Sequence, residues 1–181
     1  MEEIERTMKS EKIYDGKILS LKIDTVELPN RKYSKREIVE HNPVSAIVAV
    51  TDEDEILMVK QYRKAVDKYI YEIPAGILEL NESPQEGALR ELEEETGFVT
   101  KDIEYILEFF SSPGFCTEKV YVFAAENLIK KEQKLDEDEF LECEKIPFED
   151  ILKMIEVGEV VDAKSIAGIL AYSQMRRRNE N

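Results

Sequence analysis

The chain has 181 residues, 43% of them hydrophobic, and a formal net charge of -15. That length suits one domain with a substantial core, and such an acid excess argues against a nucleic-acid-binding surface, because phosphate backbones are held by Lys and Arg. Two cysteines, Cys116 and Cys143, make no disulfide framework.

The first six residues, Met1-Glu-Glu-Ile-Glu-Arg6, lack an apolar core, so no secretion signal is expected. No run approaches the ~18 apolar residues of a membrane span. A cytoplasmic protein is the expectation. Residues 17–28 alternate at Leu19, Leu21 and Ile23, then shift phase to Val26 and Leu28, which predicts a strand with a bend or bulge near Thr25. Pro29-Asn30-Arg31-Lys32 reads as a turn and residues 34–41 as the returning strand, without the Asn-Gly pair that marks a tight hairpin. Residues 45–50 and 55–61 are β-like and flank acidic residues 51–54. Residues 69–73 form a strand that ends at Pro74.

Ser83-Pro84-Gln85-Glu86 has the form of a capping box: Ser83 as N-cap, Pro84 at the first helical position, Glu86 reaching back. Ala88, Leu89 and Leu92 give the following helix an apolar stripe, and Gly97 stops it. Residues 104–111 and 119–125 are strands around the Pro113-Gly114 turn, and residues 140–143 a short strand. Residues 148–157 and 163–177 read as helices, the second capped by Asp162 and ending in a basic turn that suits the helix dipole. Strands followed by helices give the α+β class.

On the central helix Glu91, Glu94 and Glu95 fall at i, i+3 and i+4 and share a face, while Glu93 points elsewhere. Like charges stacked this way weaken a helix unless a cation sits among them. Mg²⁺, which takes carboxylate oxygens and a share of a phosphate, is the natural candidate. A Glu-rich helix is by itself most often a solvated face. Here Gly76, Glu82, Arg90 and Gly97 stand at fixed offsets around it.

Over residues 76–98 the chain resembles, without a departure, the box of the Nudix hydrolases: Gly, five residues, Glu, seven residues, Arg-Glu-apolar-any-Glu-Glu-any-Gly-apolar. The resemblance implies an α/β/α sandwich with a mixed sheet and an N-terminal antiparallel β-hairpin region. It implies residues 1–42 as N-terminal strands that pair with a second subunit in a homodimer, and residues 43–181 as the hydrolase domain. It implies Mg²⁺ or Mn²⁺, with Glu91, Glu95 and the Ala75 carbonyl as ligands and Glu94 holding another ion or its water. Gly76, Glu82, Arg90 and Gly97 are then structural, with a Glu82–Arg90 ion pair fixing the helix against its loop.

Residues 136–139 (Asp136, Glu137, Asp138, Glu139) form a second acidic cluster, which on composition is a solvated loop. Water attacking phosphorus must lose a proton, and a positioned carboxylate suits that task. Similarity to ADP-ribose pyrophosphatases implies Glu139 as this base and an additional metal ligand, with Glu137 second. Residues 111–118 form a Pro-Gly turn and also resemble the Ser-Pro-Gly segment of that branch. This implies that Gly114, Phe115 and Glu118 meet the terminal ribose, whose diol can donate to Glu118. Arg63 reads as a surface charge by position, but in the matching family segment an Arg approaches the diphosphate. Arg36 is the other matching cation, serving the partner's site in a dimer. Tyr14 is a candidate to stack on adenine, although a lone aromatic there is more often packing. His41, the sole histidine, and both cysteines read as structural. The family pattern is departed from at Asn30-Arg31-Lys32, where relatives often have Asn-Gly, and at Asn42-Pro43-Val44, where Pro-Gly is common.

The resemblance thus implies hydrolysis of ADP-ribose to AMP and ribose 5-phosphate. A Nudix enzyme acting on a GDP-sugar or a nucleoside triphosphate is the nearest alternative, because substrate selection lies outside the box. A non-catalytic ADP-ribose sensor is another, against which the intact box counts. A purely structural acidic protein leaves the fixed offsets unexplained.

Overall fold

The computed structural model describes residues 4–133 and 140–179, in two compact units. The first comprises Met1–Pro43 with Phe110–Lys119, the second Val44–Phe109 with Val120–Asn181.

In the first unit β1 (Arg6–Asp15), β2 (Leu19–Glu27) and β3 (Tyr33–His41) form an antiparallel sheet in that order. The antiparallel region expected from the resemblance therefore carries one strand more than the two read from periodicity. All ten residues of β1 are exposed, so no buried face imposes an alternation on its sequence. The bulge lies on β1 and not, as expected, on β2. The β2–β3 register is unbroken from Leu19↔His41 to Glu27↔Tyr33, whereas β1 shifts twice, between Thr7 and Lys9, opposite Val26 and Thr25, and again between Lys12 and Tyr14. The β2–β3 turn does without Asn-Gly because Arg31 itself takes the left-handed conformation (φ 63°) and Asn30 Oδ1 accepts from the Lys32 N–H at 3.1 Å. Beside β3, Val39 N–H donates to Phe115 O (2.8 Å) and Thr117 N–H to Val39 O (3.0 Å).

Along the rest of the chain follow β4 (Val44–Ala49), β5 (Glu55–Arg63), β6 (Lys68–Glu72), β7 (Ala75–Ile77), α1 (Pro84–Thr96), β8 (Phe98–Val99), β9 (Asp102–Phe110), β10 (Lys119–Glu126), β11 (Ile129–Lys130), β12 (Leu141–Pro147), α2 (Phe148–Glu156) and α3 (Ala163–Asn179). A mixed sheet of order β7-β4-β10-β9 forms the middle of the second unit, with β10 parallel and β7 antiparallel to β4. Every residue of β4 is buried, because helices cover both faces. Ala46, Val48, Val122 and Ala124 pack with Ile151 of α2 and Ile169 of α3; Ile47, Ala49, Phe123 and Ala125 pack with Ala88 and Leu92 of α1. This is the α/β/α sandwich. Leu92 is fully buried, so Leu92→Ala costs about 2–5 kcal/mol.

A second, antiparallel sheet has the order β12-β5-β6. The strand expected over residues 140–143 runs on to Pro147, paired from Leu141↔Gln61 to Pro147↔Glu55. Its charged Glu142, Glu144 and Lys145 sit on a strand that, among the described residues, has no neighbour beyond it in the sheet, where charge is tolerated. The β8–β11 pair and β7 escaped the sequence reading because two or three residues carry no period. No described helix is long and apolar enough to cross a membrane.

Candidate active site

Local rules place α1. The Ser83 hydroxyl accepts from Glu86 N–H, the Glu86 carboxylate accepts from Ser83 N–H at 3.0 Å, and Gly97 closes the helix at φ 70° with its N–H on Glu93 O. Ser45 Oγ donates to Pro84 O at 2.6 Å and ties the helix start to β4. With Ala88 and Leu92 committed to the core, the neighbouring face of α1 turns Glu91 and Glu95 onto β7. They are only 7% and 3% exposed.

Glu95 Oε2 accepts from Ala75 N–H at 3.0 Å. Glu91 lies directly over Gly76: a Cβ there would stand 1.8 Å from Glu91 Oε1. Gly76 is thus demanded by the approach of a carboxylate fifteen residues away, not by a backbone angle. Two buried carboxylates one turn apart thus meet consecutive residues of one strand, Glu95 by a hydrogen bond to Ala75 and Glu91 by close approach to Gly76.

Arg90 spends all five N–H donors in this region. Nε and Nη2 reach Glu82 Oε1 and Oε2 (2.8 and 3.0 Å), Nη1 reaches Glu91 Oε1 and Glu94 Oε2 (2.7 and 2.9 Å), and Nη2 also donates to Ile77 O (3.2 Å). The fork on Glu82 binds the residue 82 loop to the helix. It holds the Glu82 carboxyl below its ordinary range, and Glu82 in turn raises the Arg90 guanidinium pKa further. Glu93 pairs with Lys131 at 3.4 Å.

Among the described residues no group of three or more His, Cys, Asp or Glu converges as a preformed metal site. The donors nonetheless suit a hard divalent cation: carboxylate oxygens of Glu91, Glu95 and Glu94, with Glu95 on the Ala75 N–H and the Glu91 carboxylate filling the space over Gly76. A cation there would share Glu91 and Glu94 with Arg90.

Next to this helix is a network that the sequence reading missed. Glu72, at the end of β6, is 1% exposed. It accepts from Arg63 Nε and Nη2 (2.5 and 2.9 Å) and from Lys164 Nζ. Burial pushes this carboxyl up, but the Arg63 and Lys164 bonds outweigh it and hold it below the ordinary value. The Arg63 charge also feels Glu95. The next residue, Ile73, donates its N–H to Ser165 Oγ at 2.8 Å, so α3 is clipped to the chain between β6 and β7, just before Ala75.

The NUDIX domain signature matches residues 41–167. The ADP-ribose pyrophosphatase of Bacillus subtilis (strain 168) is 50% identical over 174 residues, covering 95% of this chain and 94% of that protein. The chain belongs to the Nudix family. A methanol dehydrogenase activator of Bacillus methanolicus is 44% identical over 174 residues, with the same shares covered. A crystal structure of an ADP compounds hydrolase superposes with a TM-score of 0.88 over 97% of this chain and 95% of that one; at 20% identity it speaks for the fold alone.

Arg36, Tyr14, Gly114, Phe115 and Glu118, also singled out from the Nudix resemblance, lie in the first unit. Arg36 forks onto Glu5 of its own chain and donates to Ser34 Oγ at 3.0 Å. The Tyr14 ring packs on Gly16, where a Cβ would come within 2.5 Å of it, yet Tyr14 is more than half exposed. Gly114 and Phe115 are exposed, and a Cβ at Gly114 would meet nothing within 4 Å. Glu118 Oε1 stands 3.5 Å from Nδ1 of His41, so the histidine read as purely structural touches a candidate substrate residue. Burial pushes the Cys143 thiol up to about 11, which keeps it protonated and unreactive. Glu137 and Glu139 lie outside the described residues. A cavity of about 720 Å³, lined by Leu89, Glu93, Val99 and Ile129, opens on the Glu93 side of α1 and contains neither Glu91 nor Glu95.

Proposed function

We propose that the chain is an ADP-ribose pyrophosphatase that uses Mg²⁺. The observation that carries this reading is the grip of buried Glu91 and Glu95 on Gly76 and Ala75. The substrate follows from the 50% identity to the Bacillus subtilis enzyme over nearly the whole of both chains.

Glu91, Glu95 and the Ala75 carbonyl would hold the cation, with Glu94 beside them. When bound, such a cation neutralises diphosphate charge and acidifies a water. The Nudix helix itself supplies position: Arg90 and Glu82 lock it against its loop, so the carboxylates stay on one face toward the cation. Glu139, with Glu137 as its second, takes a proton from the attacking water. A new P–O bond forms, the P–O–P bridge breaks, and the bridging oxygen leaves on the other phosphate. Attack at either phosphorus gives AMP and ribose 5-phosphate. Arg63 offers its guanidinium to diphosphate oxygens, a geometry that a forked donor suits better than an ammonium. Glu118, with Phe115 and Gly114, contacts the terminal ribose, and Tyr14 the adenine. Arg36 serves the neighbouring subunit's substrate in a cytoplasmic homodimer.

Product release from ADP-ribose, GDP-mannose and nucleoside triphosphates, compared by kcat/KM, tests the assignment. ADP-ribose is expected to lead. A higher value for GDP-mannose or a triphosphate would overturn the substrate while leaving the family in place.

A further inference from the structure

Glu72 has no place in the Nudix box, yet it is the most deeply engaged carboxylate beside it. A buried carboxylate must be neutralised, and breaking its pairing is strongly destabilising. Lys164, whose side chain is 14% exposed, already meets that need and is itself steadied by Asp162 at 3.1 Å. Arg63 is different. Its side chain is 44% exposed, and holding a long exposed side chain still costs conformational entropy. Its edge, Nε and Nη2, is nevertheless fixed to both Glu72 oxygens. A two-point grip sets the plane of the guanidinium as well as its position. Among the described residues the other three N–H donors of Arg63 bond to no protein atom.

Position along the chain adds a second reason. From Glu72 to Gly76 the backbone is anchored almost residue by residue. Glu72 meets Arg63 and Lys164, Ile73 meets Ser165, Pro74 O accepts from Ile47 N–H at 2.9 Å, Ala75 meets Glu95, and Gly76 lies under Glu91. One short segment, from the end of β6 to the start of β7, thus carries both the anchor of Arg63 and the backbone that Glu95 and Glu91 meet.

We infer that Glu72 is a positioning residue, which aims the unused edge of Arg63 at the substrate diphosphate while Lys164 keeps its carboxylate charged. This rests on the diphosphatase reading above. Glu72 acts through Arg63 and touches no substrate.

The test is steady-state hydrolysis of ADP-ribose with Mg²⁺ by four proteins: wild type, Glu72→Gln, Arg63→Ala and the double variant. Loss of an oriented charge-assisted bond should raise KM about ten- to hundredfold in either single variant. For Glu72→Gln, kcat should stay within about threefold of wild type. In the Arg63→Ala background Glu72→Gln should add less than about twofold to KM, because both changes remove one interaction. A merely structural Glu72 would lower kcat together with the melting temperature, and its effect would persist without Arg63; that result overturns the inference. Should Glu72→Gln not fold, Arg63→Lys decides the matter. A single ammonium cannot take the two-point grip, so its KM should match that of Arg63→Ala within about threefold, and a wild-type KM refutes the positioning role. Wild-type protein that fails to hydrolyse ADP-ribose overturns the functional reading itself, an outcome distinct from unaltered KM in the variants.

Discussion

Gly76→Ala should remove most activity while leaving the fold intact. The added Cβ would stand 1.8 Å from Glu91 Oε1, 2.2 Å from Cδ and 2.7 Å from Oε2. To regain 3.0 Å, the least that Cβ contacts tolerate, Oε1 must retreat by about 1.2 Å. The atoms in the way are the end of a flexible side chain, so backbone pairing of Gly76 with Ser45 persists. The structural loss is mainly the 2.7 Å bond from Arg90 Nη1, about 1–2 kcal/mol, or a fall of roughly 2–8 °C in melting temperature for a chain of this size. The functional loss is larger, because a group misplaced by ~1 Å costs about a hundredfold in rate. ADP-ribose hydrolysis should drop about a hundredfold in kcat/KM, and calorimetric Mg²⁺ affinity about ten- to hundredfold. Activity within about threefold of wild type, with unchanged metal affinity, would refute the placement of Glu91 in the site.

Glu95→Gln should keep the acceptor for Ala75 N–H and hence the fold, but lower kcat by roughly a thousandfold or more; near-normal turnover contradicts the ligand role. Glu139→Gln should cut kcat by about a hundred- to ten-thousandfold and affect metal affinity less; if Glu137→Gln is the crippling change, the base lies two residues earlier. Acid should destabilise the protein in a defined window. The folded carboxyls of Glu72 and Glu82 both lie below their ordinary 4.5, so their stabilisation is full above that value and is lost as pH falls through the lower folded values. Urea midpoints between about pH 6 and about pH 3 check this. Glu72→Gln should flatten the acid limb, and an equally steep limb in the variant would contradict the assignment.

Features set by local physics were legible in the sequence. The Ser83–Glu86 capping box, the Gly97 stop and the shared face of Glu91 and Glu95 follow from helix geometry, and each recurs in the structure. The reason for Gly76 was hidden, because the side chain that excludes a Cβ comes from Glu91 on another element. Glu72 was overlooked for a similar reason: its partner Lys164 is ninety-two residues away. One signal was available, a lone carboxylate closing an otherwise apolar strand beside Ile73, which demands a cation once buried. Strand β1 left no trace because all its residues are exposed. The bulge near Thr25 was assigned to the wrong strand, since one sequence shows a break in phase but not which of two partners carries the extra residue.

Release of AMP and ribose 5-phosphate from ADP-ribose, before and after exhaustive chelation and then with Mg²⁺ restored, is the most direct trial. Hydrolysis should vanish with the cation and return with it. Equal cleavage throughout would contradict a reaction organised by the Glu91–Glu95 pair.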